Sequence, residues 1–123
     1  MADTSNELQL IYSYLEDVKR ARKSLNKDNA FTLEKGIKEI VNGDLARAYQ
    51  AADRAEAQGL DVRAARAAIL FEEGQVQDAG SMVAAGGRGR QYVEKSINAF
   101  RKSAELVPDP LTYFSLGQML VEA

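Results

Sequence analysis

No proline occurs ahead of Pro108, and Pro108 and Pro110 are the only two in the 123 residues. That absence constrains the fold more than any other feature, because proline is the residue that most reliably breaks a helix. The long proline-free stretch is dominated by Ala, Leu, Glu, Lys and Arg, which lose little side-chain freedom in a helix. An all-α fold is therefore expected. The length suits one domain with a core of its own, 1–123, rather than two.

The spacing of apolar residues divides the chain into helices. Leu8, Ile11, Leu15, Val18 and Leu25 make one stripe of a leading helix within 1–27, opened by a capping box from Thr4 to Glu7. Its second half carries Lys19, Arg20, Arg22, Lys23 and Lys27, which suit the negative end of a helix dipole. A solvated helix end is the simpler reading of these charges, ahead of a patch for an acidic partner or nucleic acid. Asp28 or Asn29 opens a second helix with Leu33, Ile37, Ile40 and Val41, and Asn42-Gly43 supplies a stop. Asp44 then caps a third helix, Leu45 to Gln58, rich in alanine and ended by Gly59. A turn as short as Gly-Asp implies that these two helices lie antiparallel.

Asp61 caps a fourth helix over Val62 to Glu73, with Gly74 as its stop. Residues 75–90 contain Gly80, Gly86, Gly87 and Gly89, and a connector with at most a few helical turns is expected there. The alternative is a separate helix over Val76 to Ala85. From Gln91 the helical period returns with Val93, Ile97, Phe100, Ala104 and Leu106, and it cannot pass Pro108. Asp109 caps a last helix with Pro110 in its first turn. That helix holds Leu111, Tyr113, Phe114, Leu116, Met119, Leu120 and Val121 and no charge before Glu122, which is too apolar for a solvent-facing end.

The carboxyl-terminal residues resemble the tetratricopeptide repeats. That family combines Trp-x2-Leu-Gly-x2-Tyr in one helix with Ala-x3-Phe and a later Pro in the next. Here Ser96-x3-Phe100-x2-Ser103-x4-Pro108 gives small, aromatic, small and proline at the family spacing, and Tyr113-x2-Leu116-Gly117-x2-Leu120 resembles the opening of another repeat. Upstream, Gly43, Ala48, Ala52 and Ala55 keep small positions without the aromatic. The resemblance implies antiparallel helix pairs stacked as a short α-solenoid: a degenerate repeat over 28–59, a repeat over 60–108 interrupted by the Gly-rich insertion 75–90, and the opening helix of a further repeat at 109–123.

Such arrays bind polypeptides along one face, so the resemblance implies an adaptor or scaffold that contacts a protein or peptide. The first helix of each pair would line the groove, which places Thr32 to Val41, Asp61 to Glu73 and Leu111 to Val121 there. Leu33, Ile37, Arg63, Arg66 and Ile69 are the partner-binding candidates. Arg63 and Arg66, three apart, suit a ligand carboxylate, although pairing with Asp61, Glu72 or Glu73 is the simpler expectation. Leu116, Met119 and Leu120 form a candidate self-association edge, covered by further chain beyond Ala123 or by a second copy. Burial of each such side chain is worth about 1.5–3 kcal/mol.

Histidine and cysteine are absent, which removes the commonest general base, the thiolate nucleophile and the usual zinc ligands. Glu72 and Glu73 occupy adjacent helix positions and read as a solvated helix end, not a catalytic pair. The stretch Ala85 to Arg90 lacks a phosphate-binding motif and reads as a connector. Neither enzymatic activity nor a cofactor or metal is expected. With 16 basic and 18 acidic residues, the charge balance disfavours nucleic acid. No stretch approaches membrane-spanning length and the first residues lack a basic-then-apolar run, so a cytoplasmic location is expected.

Overall fold

The computed structural model describes residues 5–26, 28–81 and 88–122. All regular structure in them is helical. The helices are α1 (Ser5–Lys23), α2 (Ala30–Ile40), α3 (Ala46–Ala57), α4 (Arg63–Ser81), α5 (Arg88–Leu106) and α6 (Pro110–Glu122), with a π-helical turn at Val41–Leu45 between α2 and α3. Thr4, Lys27 and residues 82–87, including Ala85, Gly86 and Gly87, lie outside the described residues.

Four helix boundaries follow the expected chemistry. Asn29 Oδ1 accepts from the Thr32 N–H at 3.2 Å and opens α2. Asp61 Oδ1 accepts from Arg63 N–H at 3.0 Å ahead of α4, and Asp109 Oδ1 from Leu111 N–H at 2.8 Å ahead of α6. These side chains satisfy donors that a helix start leaves unpaired. Gly59, at φ +85°, takes the left-handed conformation beyond the end of α3.

Two expected stops do not form. Asn42-Gly43 does not turn the chain and Asp44 caps no new helix: α2 passes through the π turn into α3, with Val41 and Leu45 both in right-handed helical geometry. The antiparallel pair expected within 28–59 is thus a single continuous rod. The reason is visible in the spacing of its buried face. Leu33, Ile37 and Ile40 are buried at regular helical steps, and the next buried side chain is Leu45, five residues on, followed by Ala48, Ala51, Ala52 and Ala55. A π turn accommodates one extra residue, so the buried stripe stays on one side.

Gly74 does not end α4 either. The helix runs on to Ser81, and α5 begins at Arg88, so most of the expected 75–90 connector, including Gly80 and Gly89, is helix. Neither a free insertion nor a separate helix over Val76 to Ala85 describes it, because Val76 to Ser81 continues α4. Glycine costs roughly 1 kcal/mol in a helix interior, and here close packing offsets it. A Cβ on Gly74 would lie 2.5 Å from the Phe100 ring, and one on Gly80 would lie 2.4 Å from the Tyr92 ring. Both glycines let aromatic side chains of α5 settle against the α4 backbone.

The two helices are tied further by hydroxyls. Ser96 Oγ donates to the Gly74 carbonyl at 2.8 Å, and Ser103 Oγ donates to the Ala67 carbonyl at 2.7 Å, both buried. Partners at 74 and 67 on α4 for 96 and 103 on α5 define an antiparallel hairpin. Two apolar clusters flank α4. The larger contains Ile11, Leu15, Val18, Leu33, Ile37, Ile40, Leu45, Ile69 and Val76. The smaller joins Val93, Ile97, Phe100 and Met119 with Phe71 and Leu116. Phe71 and Phe100 meet as tilted rings, centroids 5.6 Å apart, a geometry aromatic quadrupoles favour.

Polar pins hold α3 in place. Arg54 Nε lies 3.2 Å from Glu7 of α1. The Tyr49 hydroxyl donates to Glu73 Oε2 at 2.5 Å. Burial, with the adjacent Glu73 carboxylate, raises the Tyr49 pKa well above the usual phenol value, so the hydroxyl stays protonated and keeps donating.

Candidate functional site

A cleft of about 340 Å³ opens between α1, α4 and the start of α6, a volume in the range of ligand-binding sites. Its floor is α4, where Ala64, Ala67 and Ala68 keep the surface low and Phe71 and Glu72 follow one turn further on. Tyr12, Leu15, Glu16 and Lys19 of α1 form one wall. Val107, Asp109, Leu111 and Thr112 form the other, with Ser103 behind them. Concavity here follows from the sequence: three alanines on α4 stand between larger side chains on its neighbours.

Glu72 is the unusual member. It is only 5 % exposed, although its neighbour Glu73 is partly exposed and bonded to Tyr49. The expectation of a solvated Glu72-Glu73 end is therefore corrected. Arg22 Nε stands 3.9 Å from Glu72 Oε2, and neither atom has a hydrogen-bond partner. Burial raises the Glu72 pKa above the ordinary carboxyl value; Arg22, Lys19 and Lys23 oppose that shift and Glu16 adds to it. An acid whose pKa is raised on folding favours the folded state most where it is protonated. That contribution is lost as pH rises from the ordinary glutamate value, about 4.3, through the raised one. Glu72→Gln is expected to have a higher melting temperature than the parent at pH 8. The difference should shrink as the pH falls towards 4 in a circular-dichroism series. A parent more stable than the variant at pH 8 would mean that the Arg22 contact outweighs burial.

The sequence-derived candidates divide sharply. Leu33, Ile37 and Ile69 are 1 %, 2 % and 0 % exposed and belong to the larger core cluster. They hold the helices together and offer no surface to a partner. Arg63 is exposed, but Arg66 points back to α3, 2.8 Å from Asp53 and 3.6 Å from Glu56. The two do not form a joint carboxylate clamp, and the partners of Arg66 are not the expected Asp61, Glu72 or Glu73. In the basic end of α1, Lys19 and Arg20 pair with Glu16 and Asp17 at 3.2 Å and 3.0 Å. Arg90 lies 3.7 Å from Glu94.

The candidate edge on α6 is also redistributed. Met119 is 2 % exposed and packs with Phe100, while Leu116 is partly buried beside it; only Leu120 of the three faces out. The inward stripe of α6 is Thr112, Ser115 and Met119, at helical steps of three and four. On α6 the exposed large apolar residues are Leu111, Tyr113, Phe114, Leu120 and Val121. The helix thus buries Thr112 and Ser115 and exposes an apolar face.

Among the described residues, no group of three or more acidic side chains is placed to hold a metal ion, and no helix is long and apolar enough to cross a membrane. Comparison with protein-family models, with curated proteins and with solved structures gives no match.

Proposed function

We propose that the chain is a non-enzymatic adaptor, acting in the cytoplasm, that receives a segment of a partner polypeptide in the cleft between α1, α4 and α6. The cleft carries this reading: alanines of α4 run along its floor and residues of α1 and of the start of α6 wall it, as in a groove built by helix packing. Support for a tetratricopeptide-like arrangement comes from α4, α5 and α6. Ser96, Phe100 and Ser103 meet Gly74 and Ala67 across the hairpin, the contacts for which that family's small-aromatic-small spacing is suited. The continuous rod over Ala30 to Ala57 departs from such a pair, so the resemblance is carried by the second half of the chain.

A photo-crosslinking residue in place of exposed Tyr12, an aromatic side chain already on the cleft wall, tests the reading. Discrete adducts with a protein are expected in cells, absent when the same residue replaces exposed Lys35 on α2. Equal crosslinking from both positions would defeat it.

The outer face of α6 supports a second reading, self-association. An apolar patch of this kind on a soluble protein marks a contact surface more often than chance. Light scattering over a tenfold concentration range should show the parent dimerising and Phe114→Glu, which places a charge on the patch, remaining monomeric. A parent that stays monomeric throughout rejects the second reading and leaves the cleft unaffected.

A further inference from the structure

We propose that the cleft is a receptor for a lysine or arginine side chain of the bound polypeptide, with the Glu72 carboxylate as its counter-ion. The inference rests on the reading of the cleft as a polypeptide-binding surface and specifies what that surface selects.

Charge complementarity is the first argument. Three carboxylates, Glu16, Glu72 and Asp109, line the cleft against one ammonium, Lys19, and that ammonium already contacts Glu16 at 3.2 Å. An anionic side chain entering here would meet Glu72 and Asp109, whose partners on the chain are the Arg22 guanidinium at 3.9 Å and the Leu111 N–H at 2.8 Å. Like-charge contact of this kind is a strong source of discrimination between partners.

The second argument is independent of the charge count. Glu72 is 5 % exposed and its Oε2 accepts no hydrogen bond. Its approach to Arg22, at 3.9 Å, is longer than a hydrogen bond. A buried acceptor left in this condition lowers stability, and Glu72 is among the residues that line the cleft. It has therefore already lost its water before a ligand arrives, and an arriving cation gains a charge-assisted bond without removing that water again.

The shape suits the long stem of such a side chain. Ala64 and Ala68 leave room along the α4 surface, and Phe71 and Tyr12 supply aromatic and apolar walls. A lysine or arginine lays its methylene groups along apolar surface while its charged end seeks a polar partner. Here that partner sits beyond the alanines, beside Phe71. Arg22 and Lys23 of α1 do not line the cleft, so the cations nearest Glu72 stand outside the path of entry, apart from Lys19, which is held by Glu16.

The test uses a phage-displayed library of random twelve-residue peptides selected on the full chain at pH 7. Enriched peptides are remade and titrated against the parent, Glu72→Gln and Ala64→Trp. Ala64 is exposed on the cleft floor, so tryptophan there blocks the cleft without disturbing the core. Circular dichroism confirms that both variants keep the parent's helicity. The expected result is enrichment of lysine or arginine among apolar residues. Ala64→Trp should abolish binding, and Glu72→Gln should weaken it about tenfold or more, the size of one hydrogen bond to a charge. Replacing the peptide's basic residue by norleucine should weaken binding to the parent equally and should add nothing in Glu72→Gln. Peptides blocked by Ala64→Trp but indifferent to Glu72→Gln and to norleucine overturn the cation receptor and leave the polypeptide cleft standing. Failure to enrich any peptide sensitive to Ala64→Trp overturns both.

Discussion

Replacing Phe100 by alanine is expected to remove about 3–5 kcal/mol of stability, the usual cost of truncating a buried aromatic. Phe100 is 1 % exposed, touches Phe71 and anchors Met119 of α6, so the loss reaches three helices. Gly74 provides the control. Alanine is the better helix former by about 1 kcal/mol, but its methyl group would stand 2.5 Å from the Phe100 ring. Gly74→Ala alone should therefore destabilise, by about 1–3 kcal/mol as overpacked cores do. In the Phe100→Ala background the clash has no partner, and the same change should become neutral or stabilising. Urea denaturation of the four proteins measures the coupling. Additive losses would mean that Phe100 is not seated on Gly74.

Ile69→Ala gives the second large effect, a loss of about 2–5 kcal/mol, because Ile69 is wholly buried between α4 and the larger cluster. The measurement also separates two roles for this residue. A groove residue would leave the denaturation midpoint near the parent's and weaken partner binding; a core residue does the reverse to stability. A variant as stable as the parent would return Ile69 to the partner-binding surface.

Much of the fold was legible in the chain because the signals were local. Asn29, Asp61 and Asp109 announced three helix starts through short side chains that reach the next turn, and Gly59 announced an end through its backbone. The two misread glycines were not local signals. Gly43 lies inside a rod whose face is fixed by Leu45 and the alanines after it, and Gly74 is small because of an aromatic twenty-six positions later, on another helix. A glycine required by a turn and a glycine required by a neighbour look alike until the neighbour is known.

The cleft was legible in part. Of the residues named on α4, Arg63 is exposed and Arg66 half-buried, but Ile69, read as a groove residue, belongs to the core. A usable signal was nevertheless present: Ala65, Ile69, Glu72 and Val76 succeed one another at steps of four, three and four, all buried. A carboxylate on the apolar stripe of a helix is improbable as a solvated end, since Lys, Glu, Arg and Asp are almost never fully buried without a partner. No spacing rule could have supplied α1 as the opposite wall, because Tyr12 and Glu16 come to α4 only through the packing of the larger cluster.

The π turn between α2 and α3 changes what a difference in chain length would do to this protein. In a regular helix, removing one residue rotates everything beyond it by about 100°, which would carry Ala48, Ala51 and Ala55 off the core side. Between Ile40 and Leu45 the rod already holds a surplus residue. Losing exposed Asn42 would restore an ordinary four-residue step from Ile40 to Leu45 and leave the downstream face where it is. The middle of this rod is therefore expected to absorb the loss of one residue, whereas the same loss within α3 would turn the alanines beyond it off the core.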